Sequence, residues 1–283
     1  MHKKYSASQN ISQGTEKLKE MKIGLVLSGG GIRGIAHLGV LQALTEAGIK
    51  FDKISGTSAG SIVGALFAQG IEPAEVLKVF MKTHLYKYIR PAFKSKGLMS
   101  LDKIRTLLLE YIPHDSFEGL KTPMVITTTN FNECKVEYFS SGELINPILA
   151  SSAIPVFFKP IVMGKKIYMD GGILNNFPIE PIRSDCDFII GSSCNHLPET
   201  NRIESYRRLV ERAVIMSINS DMAMKAEYCD VIIEPKGMGA TSVFDVAKTE
   251  EIYWLAYDAT LRKLKTDKKL QSILPDSKNK KGS

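Results

Sequence analysis

Residues 22–70 decide the fold, and their sequence is KIGLVLSGGGIRGIAHLGVLQALTEAGIKFDKISGTSAGSIVGALFAQG. The opening KIGLVLS is a short apolar run that ends in glycines, as a buried parallel strand does. From Ile35 to Gly48 the apolar residues recur every three or four positions, which predicts a helix. A second strand is predicted at 51–55 and a second helix at 58–70. This β-α-β-α order predicts an α/β protein with a mainly parallel sheet.

The same patterns predict further elements along the rest of the chain. Strands are predicted at 122–131, 135–140, 186–194 and 230–235, with a hairpin at 160–172. Helices are predicted at 73–83, 101–111, 142–153, 203–226 and 245–265. We therefore expect one α/β domain over residues 21–265, between a polar arm at 1–20 and a basic tail at 266–283, both disordered.

Composition and charge exclude several functional classes. The 283 residues are 44% hydrophobic and 24% charged, which is ordinary for a globular protein. The net charge of +7 is concentrated at the two ends, because residues 23–261 hold 24 Lys and Arg against 26 Asp and Glu. A domain that binds nucleic acid carries its positive charge on a folded face, so no nucleic-acid partner is expected.

Cysteine usage and hydropathy indicate the cellular compartment of the protein. The four cysteines form no CxxC pair, which is typical of reduced thiols. The first twenty residues lack the apolar centre of a secretory signal, and no run reaches the ~18 apolar residues of a membrane span. We expect a cytoplasmic protein, with peripheral contact at the inner face of the membrane.

GGGIRG (29–34) lies between the first strand and the first helix and fits the dinucleotide pattern GxGxxG. A dinucleotide site also needs an acidic residue at the end of the second strand, where GTSAG stands instead. A second interpretation is a glycine turn that only permits close packing of strand and helix. The third is an oxyanion-binding loop, because consecutive glycines let backbone N–H groups converge at the positive end of a helix.

GTSAG (56–60) matches the nucleophile elbow GxSxG and stands at a strand-to-helix junction. Gly56 and Gly60 remove the side chains that would collide in a sharp turn, so Ser58 is predicted to be exposed at its tip. The N–H of Ala59 points the same way and is placed to join the donors of the glycine loop. The alternative is that Ser58 only caps the following helix.

A serine nucleophile needs a general base, which is usually histidine. None of the five histidines has a convincing position, and His37 is expected to be packed within the first helix. Asp170 follows a predicted strand, and Gly171 and Gly172 permit the close approach of another loop, so Asp170 is the candidate base. The alternative there is an ordinary Asp-Gly hairpin turn. A competing nucleophile, Ser100 in the spacing Ser-x-x-Lys, is better explained as a helix N-cap.

Four blocks of the chain resemble, in order and approximate spacing, those of the patatin-like phospholipase family. They are GGGIRG at 29–34, GTSAG at 56–60, ASSAIPVFFKP at 150–160 and DGGILNNFP at 170–178. The resemblance implies a three-layer α/β/α fold and a Ser58–Asp170 dyad without histidine. It also implies an oxyanion site around Gly29, Gly30, Gly31 and Arg33, and it implies no cofactor.

The function implied by this resemblance is hydrolysis of lipid or fatty-acyl esters through an acyl-serine intermediate, without a metal. The alternative is a membrane-surface or partner-binding protein that keeps the fold but turns over little. Its support is the Lys-rich tail together with the stretch 84–100, where aromatic residues alternate with Lys87, Arg90, Lys94 and Lys96. Basic and aromatic side chains suit contact with an anionic membrane, although solvated loops also have this composition. The sequence does not indicate the oligomeric state.

Overall fold

The structure is a computed structural model that describes residues 21–82, 101–202, 205–238 and 246–275. The predicted polar arm at 1–20 lies outside these residues, and so does the basic stretch 84–100 with its four basic side chains. Among the helices in the described ranges, none combines the length and the apolar character that crossing a bilayer requires.

A central sheet of eight strands runs through the described residues. The strands are β1 (Ile23–Leu27), β2 (Lys53–Thr57), β3 (Met124–Asn130), β4 (Lys135–Phe139), β5 (Ile161–Met163), β6 (Lys166–Asp170), β7 (Phe188–Ser192) and β8 (Val231–Ile233). Their order is β5-β6-β3-β2-β1-β7-β8, and β4 pairs with β3. Strands β1, β2, β3, β7 and β8 are mutually parallel, as expected, while β4, β5 and β6 pair antiparallel.

Helices flank this sheet. They are α1 (Ala36–Glu46), α2 (Ala59–Ala68), α3 (Pro73–Lys82), α4 (Asp102–Tyr111), α5 (Ile145–Ser151), α6 (Tyr206–Ile218), α7 (Met222–Ala226), α8 (Thr249–Thr266) and α9 (Lys268–Ser272). Helix α8 packs along α1, so a late part of the chain closes over the first βα unit.

Apolar side chains cover both faces of the sheet. Leu25 and Leu27 of β1 belong to a large apolar cluster with side chains of α1, α2, α5 and α8. Val26 between them belongs to a smaller cluster with Phe177 and Ile182 on the opposite face. Such alternation is the signature of a strand that is buried on both faces. The expected mixed α/β architecture, a central sheet with flanking helices, is confirmed.

Strand β3 determines which residues meet at one edge. Its first half pairs with β2, up to Thr57 opposite Thr127, and its second half pairs with β6, from Asp170 opposite Thr128. Strand β4 pairs with residues of both halves and therefore lies along the other edge. Strands β2 and β6 thus approach each other end to end along one edge of β3. The residue that follows Thr57 is brought beside Asp170.

Two of the differences between predicted and observed elements concern segments that contact the Ser58 turn and its neighbours. The second strand was expected at 51–55, but β2 extends to Thr57 and so leads directly into the turn. The helix expected at 203–226 is divided into α6 and α7. It is interrupted at Asn219, whose side chain donates to the carbonyl of Ile215 and competes with the helical backbone.

The prediction of a disordered tail is wrong for residues 266–275. The carboxylate of Asp267 accepts hydrogen bonds from the N–H groups of Lys269 and Leu270, which starts α9. The Leu270 side chain is fully buried, and this burial fixes α9 to the core. The basic composition of this segment predicts disorder, but the single apolar residue Leu270 packs into the core, so the folded chain extends beyond residue 265.

Candidate active site

The turn after β2 holds Ser58 in a strained backbone conformation. Its φ of 51° and ψ of −121° lie in a region that residues with a side chain seldom adopt. Helix α2 begins at the next residue, Ala59. A Cβ at Gly60 would lie 2.7 Å from the carbonyl oxygen of Ser28, and one at Gly56 would lie 2.7 Å from the carbonyl oxygen of Gly60. The turn can be this sharp because both positions lack a side chain.

Ser58 donates a hydrogen bond from Oγ to Oδ2 of Asp170, at 2.7 Å. The other carboxylate oxygen, Oδ1, accepts from the N–H of Gly172, also at 2.7 Å. A Cβ at Gly171 would overlap the carbonyl oxygen of Thr127, so this glycine lets the chain pass close to β3. The segment forms a short 3-10 turn rather than the alternative Asp-Gly hairpin. Two residues 112 positions apart in the chain therefore form one hydrogen-bonded pair.

Both members of the pair are buried. Ser58 is 5% exposed, so the prediction of an exposed serine is wrong, because the glycine loop and Asp170 cover it. Burial raises the pKa of Asp170 to about 6, while the hydrogen bonds from Ser58 and Gly172 lower it by stabilising the charged form. The carboxyl group is thus mostly ionised at pH 7, yet more basic than an exposed aspartate.

The glycine loop lies against Ser58. The N–H of Gly29 donates to the carbonyl of Asn176 at 3.1 Å, and a Cβ on Gly29 would be 3.1 Å from Cβ of Ser58. Gly31 has a φ of 58° and begins the 3-10 turn that leads into α1. The N–H groups of this loop, like that of Ala59, stand at the first turn of a helix, where backbone donors have no partner within the helix. The glycine loop and the start of α2 therefore lie side by side at Ser58, and the role of their N–H groups as oxyanion donors stays a prediction.

The patatin-like phospholipase family matches this chain over residues 25–183, which is more than half of the sequence. The chain belongs to the patatin-like phospholipase family. An uncharacterised NTE family protein of Mycobacterium tuberculosis is 32% identical over 177 residues, which are 62% of this chain and 49% of that protein. The lysophospholipase nte1 of Aspergillus fumigatus is 33% identical over 173 residues, 57% of this chain and 11% of that protein. The chain spans about half of the mycobacterial relative and less of the fungal one.

A solved structure supports the same fold. VipD from Legionella pneumophila superposes with a TM-score of 0.51 at 15% identity, covering 87% of this chain and 67% of that chain. The superposed 87% of the chain is about 246 residues, which exceeds the 183 residues up to the end of the family match, so it includes residues after 183.

Within the patatin-like region, the block at 150–160 supports both members of the pair, a role that the sequence did not reveal. Ser151 accepts a hydrogen bond from the backbone N–H of Ser58 at 2.8 Å and donates to the carbonyl of Thr127 at 2.6 Å. The carbonyl of Ala153 accepts from the N–H of Asp170 at 3.1 Å. The family resemblance marks this block, but a local pattern does not show which atoms it holds.

Asn195 lies beyond the patatin-like match and contacts the glycine loop. Its Nδ2 donates to the carbonyl of Gly29 at 2.6 Å. The carbonyl and the next N–H of a trans peptide point in opposite directions, so this bond directs the N–H of Gly30 away from Asn195. The neighbouring Cys194 occupies the space into which a Cβ on Gly30 would extend. Asn195 and Cys194 therefore restrict the orientation of this peptide.

Lys225 on α7 is a second residue beyond the match that the sequence analysis missed. It is buried, and its Nζ donates to Oδ1 of Asn175 at 2.6 Å while forming ion pairs with Asp221 and Glu180. The backbone of Asn175 accepts from the Thr57 hydroxyl and donates to the carbonyl of Gly171. Lys225 thus anchors Asn175, whose backbone is hydrogen-bonded to Thr57 beside Ser58 and to Gly171 beside Asp170.

Arg33 has a different environment from the one expected. Its side chain is buried, and the guanidinium forms an ion pair with Glu211 on α6, with 3.9 Å between Nη2 and Oε1. Burial lowers the pKa of Arg33, whereas Cys194 and Glu211 raise it. The structure thus shows Arg33 connecting the glycine loop to α6, and its place around an oxyanion stays a prediction.

His37 is buried and hydrogen-bonded, although its partners lie outside the first helix. Nε2 lies 2.9 Å from the carbonyl oxygen of Ser28, which can only accept, and Nδ1 lies 2.7 Å from the Ser192 hydroxyl. Nε2 therefore carries the proton, and Nδ1 accepts from Ser192. Burial lowers the pKa of His37 to about 4, so the ring is neutral at pH 7.

The described residues contain no group of three or more His, Cys, Asp or Glu side chains that is arranged to bind a metal ion. The competing nucleophile Ser100 lies outside the described residues.

Proposed function

We propose that this chain is a lipid acyl hydrolase in which Ser58 is the nucleophile and Asp170 the general base. The observation that carries the proposal is the 2.7 Å hydrogen bond from Ser58 Oγ to Asp170 Oδ2 at a strained strand-to-helix turn. Membership of the patatin-like phospholipase family supports a lipid ester as the substrate. The fungal relative is named a lysophospholipase, which is consistent with this class.

In the first step Asp170 Oδ2 takes the proton from Ser58 Oγ as Oγ attacks the ester carbonyl carbon. The carbonyl oxygen becomes an oxyanion, which the N–H groups of Gly30, Gly31 and Ala59 stabilise without reorganisation. The intermediate then collapses, the bond to the alkoxy oxygen breaks, and Asp170 returns the proton to the leaving alcohol. The product of this step is an acyl-Ser58 ester.

In the second step a water molecule gives its proton to Asp170 and attacks the acyl carbon. A second oxyanion forms at the same donors, and its collapse releases the fatty acid and restores the Ser58 hydroxyl with the proton from Asp170. A carboxylate with its pKa near 6 accepts a proton more readily than one near its usual value, and burial keeps competing water away from the pair.

The proposal is tested by incubating total membrane lipid with the wild type and with Ser58→Ala and comparing the products by mass spectrometry. Fatty acid and a matching lysolipid or alcohol should accumulate with the wild type alone. A low-turnover binding protein, the alternative function, would release neither, and it would also fail to hydrolyse a soluble short-chain aryl ester.

We expect kcat/KM for a neutral aryl ester to increase with pH through about 6, because Asp170 must be ionised to accept the Ser58 proton. Below this value the rate should fall about tenfold per pH unit, and above about pH 7 it should be level. The pH dependence is measured by initial rates, with circular dichroism at each pH to confirm that the fold persists. A rate that decreases as the pH is raised from 5 to 7 would contradict a carboxylate base.

Lys225→Met should lower kcat about tenfold with little change in KM, because Asn175 loses the anchor that fixes the Ser58 and Asp170 turns. The buried amide oxygen also loses its partner, so the free energy of unfolding should fall by about 1–3 kcal/mol. Steady-state kinetics and urea denaturation measure the two effects. Lys166→Met is the matched control, because this lysine pairs with Glu133 and Glu137 at the surface. An unchanged kcat in Lys225→Met would remove the positioning role.

Chelators should leave the rate of hydrolysis unchanged, because both steps use only Ser58, Asp170 and backbone donors. The rate is measured before and after dialysis against EDTA, and again with added calcium. A strict calcium requirement would be incompatible with this mechanism.

A further inference from the structure

Helix α6 has an inverted distribution of side chains. Its outer face carries exposed apolar residues, and we call these residues the α6 face: Tyr206, Leu209, Val210, Val214 and Met216. Val214 is 53% exposed, Met216 59% and Tyr206 80%. A surface helix ordinarily turns its apolar stripe to the core and its charges to water. Helix α6 therefore has an apolar surface for which the described residues provide no cover.

The inner side of α6 holds charge. The Glu211 side chain is only 9% exposed and pairs with Arg33 and with Arg208. Ile215 is buried on the same side. The one acidic residue of the helix is thus neutralised inside, while two of its arginines, Arg208 and Arg212, are partly exposed. The charge that α6 itself presents to solvent beside the α6 face is therefore positive.

Helix α6 is attached to the end of the sheet that carries Ser58. Glu211 is joined to Arg33 beside the glycine loop, and Asn219 after the helix accepts a hydrogen bond from Asn176 at 3.1 Å. Leu174 and Met224 are also exposed apolar residues, and each directly precedes one member of the bonded pair Asn175 and Lys225.

We propose that the α6 face is a docking surface for an anionic lipid membrane. An apolar face with arginines at its border and a tyrosine at one end has the composition of a helix that lies in a bilayer interface. The apolar side chains would enter the acyl boundary, while the arginines meet anionic headgroups. This inference rests on the proposed function, since docking would hold the chain on the lipid that contains the ester.

Charge disfavours a second copy of this chain as the occupant. In a two-fold interface the same surface meets itself. Arginines at the border of one α6 face would then oppose those of the other, because the only acidic residue of the helix is buried in its own ion pairs. Anionic headgroups supply the complementary charge that a second copy lacks.

The test compares binding to vesicles of equimolar phosphatidylcholine and phosphatidylglycerol by flotation. All proteins carry Ser58→Ala, so that the lipid is not consumed. The test variant replaces Leu209, Val214 and Met216 by glutamine. The matched control replaces Met81, Leu109 and Val162, which are exposed apolar residues on other elements. We expect the test variant to bind at least about tenfold more weakly and the control to bind as the parent does.

Further measurements make each outcome decisive. The single change Val210→Glu should also weaken binding, which keeps the test valid if the triple variant folds poorly. Unchanged binding by both variants, or an equal loss in the control, would overturn the proposal. So would a parent that sediments as a dimer and a test variant that sediments as a monomer. Loss of binding only when Lys87, Arg90, Lys94 and Lys96 are replaced by glutamine would assign the contact to 84–100 instead.

The two proposals fail in different ways. With Ser58 present, the α6 variants should hydrolyse a soluble short-chain ester at the parental rate and vesicle lipid more slowly. If the wild type hydrolysed neither substrate while the α6 variants still lost vesicle binding, the hydrolase proposal would fail and the docking surface would stand.

Discussion

Ser58→Ala is expected to abolish ester hydrolysis and labelling by a fluorophosphonate probe. The change removes the oxygen that is hydrogen-bonded to Asp170 at the start of α2. In the proposed mechanism no acyl-enzyme forms without Ser58, so the loss should be several orders of magnitude. Hydrolysis of an aryl ester and probe labelling on gels measure the effect.

The fold should survive this change, because alanine fills the same turn and Asp170 keeps its bond from Gly172. Ser152→Ala is a suitable control, since this buried serine lies one residue from the Ser151 that supports the turn. It should retain labelling and most of the activity. Labelling that persisted in Ser58→Ala and disappeared in Ser100→Ala would move the nucleophile to Ser100.

Asp170→Asn should lower hydrolysis by two orders of magnitude or more, the size associated with a lost general base. An amide has nearly the same shape as the carboxylate and can still accept from Gly172, but it cannot take the Ser58 proton. Initial rates above pH 7, where wild-type Asp170 is ionised, give the cleanest comparison. The pH dependence near 6 should disappear in the variant.

The stability of Asp170→Asn distinguishes a lost base from a lost fold. The folded pKa of Asp170 is raised, so its contribution to stability is fully present below the unfolded value of ~3.9 and is lost as the pH rises through about 6. A neutral amide avoids that loss, and the variant should be at least as stable as the wild type at pH 8. His37→Gln should retain most activity, since both ring nitrogens are already bonded. A larger loss in His37→Gln than in Asp170→Asn would restore a histidine mechanism.

Local sequence patterns were sufficient to predict the parts of this protein that depend on neighbouring residues. The apolar run at 22–28 and the periodic stretch from Ile35 predict β1 and α1, because strand and helix periods are properties of a single segment. GTSAG predicts the strained turn in the same way, since glycines around Ser58 are a local steric requirement. The predicted C-terminal boundary of the folded chain was wrong for the opposite reason, because residues distant in the sequence bury Leu270.

The tertiary structure alone decided the distances and the electrostatics. Ser58 and Asp170 meet because β2 and β6 share one edge of β3, a pairing that no segment encodes by itself. The pKa of Asp170 follows from burial by the assembled site, and Lys225 reaches Asn175 only because α7 folds back across fifty residues. Sequence patterns report local periodicity and sterics, whereas contact and solvent exclusion depend on which distant segments pack together.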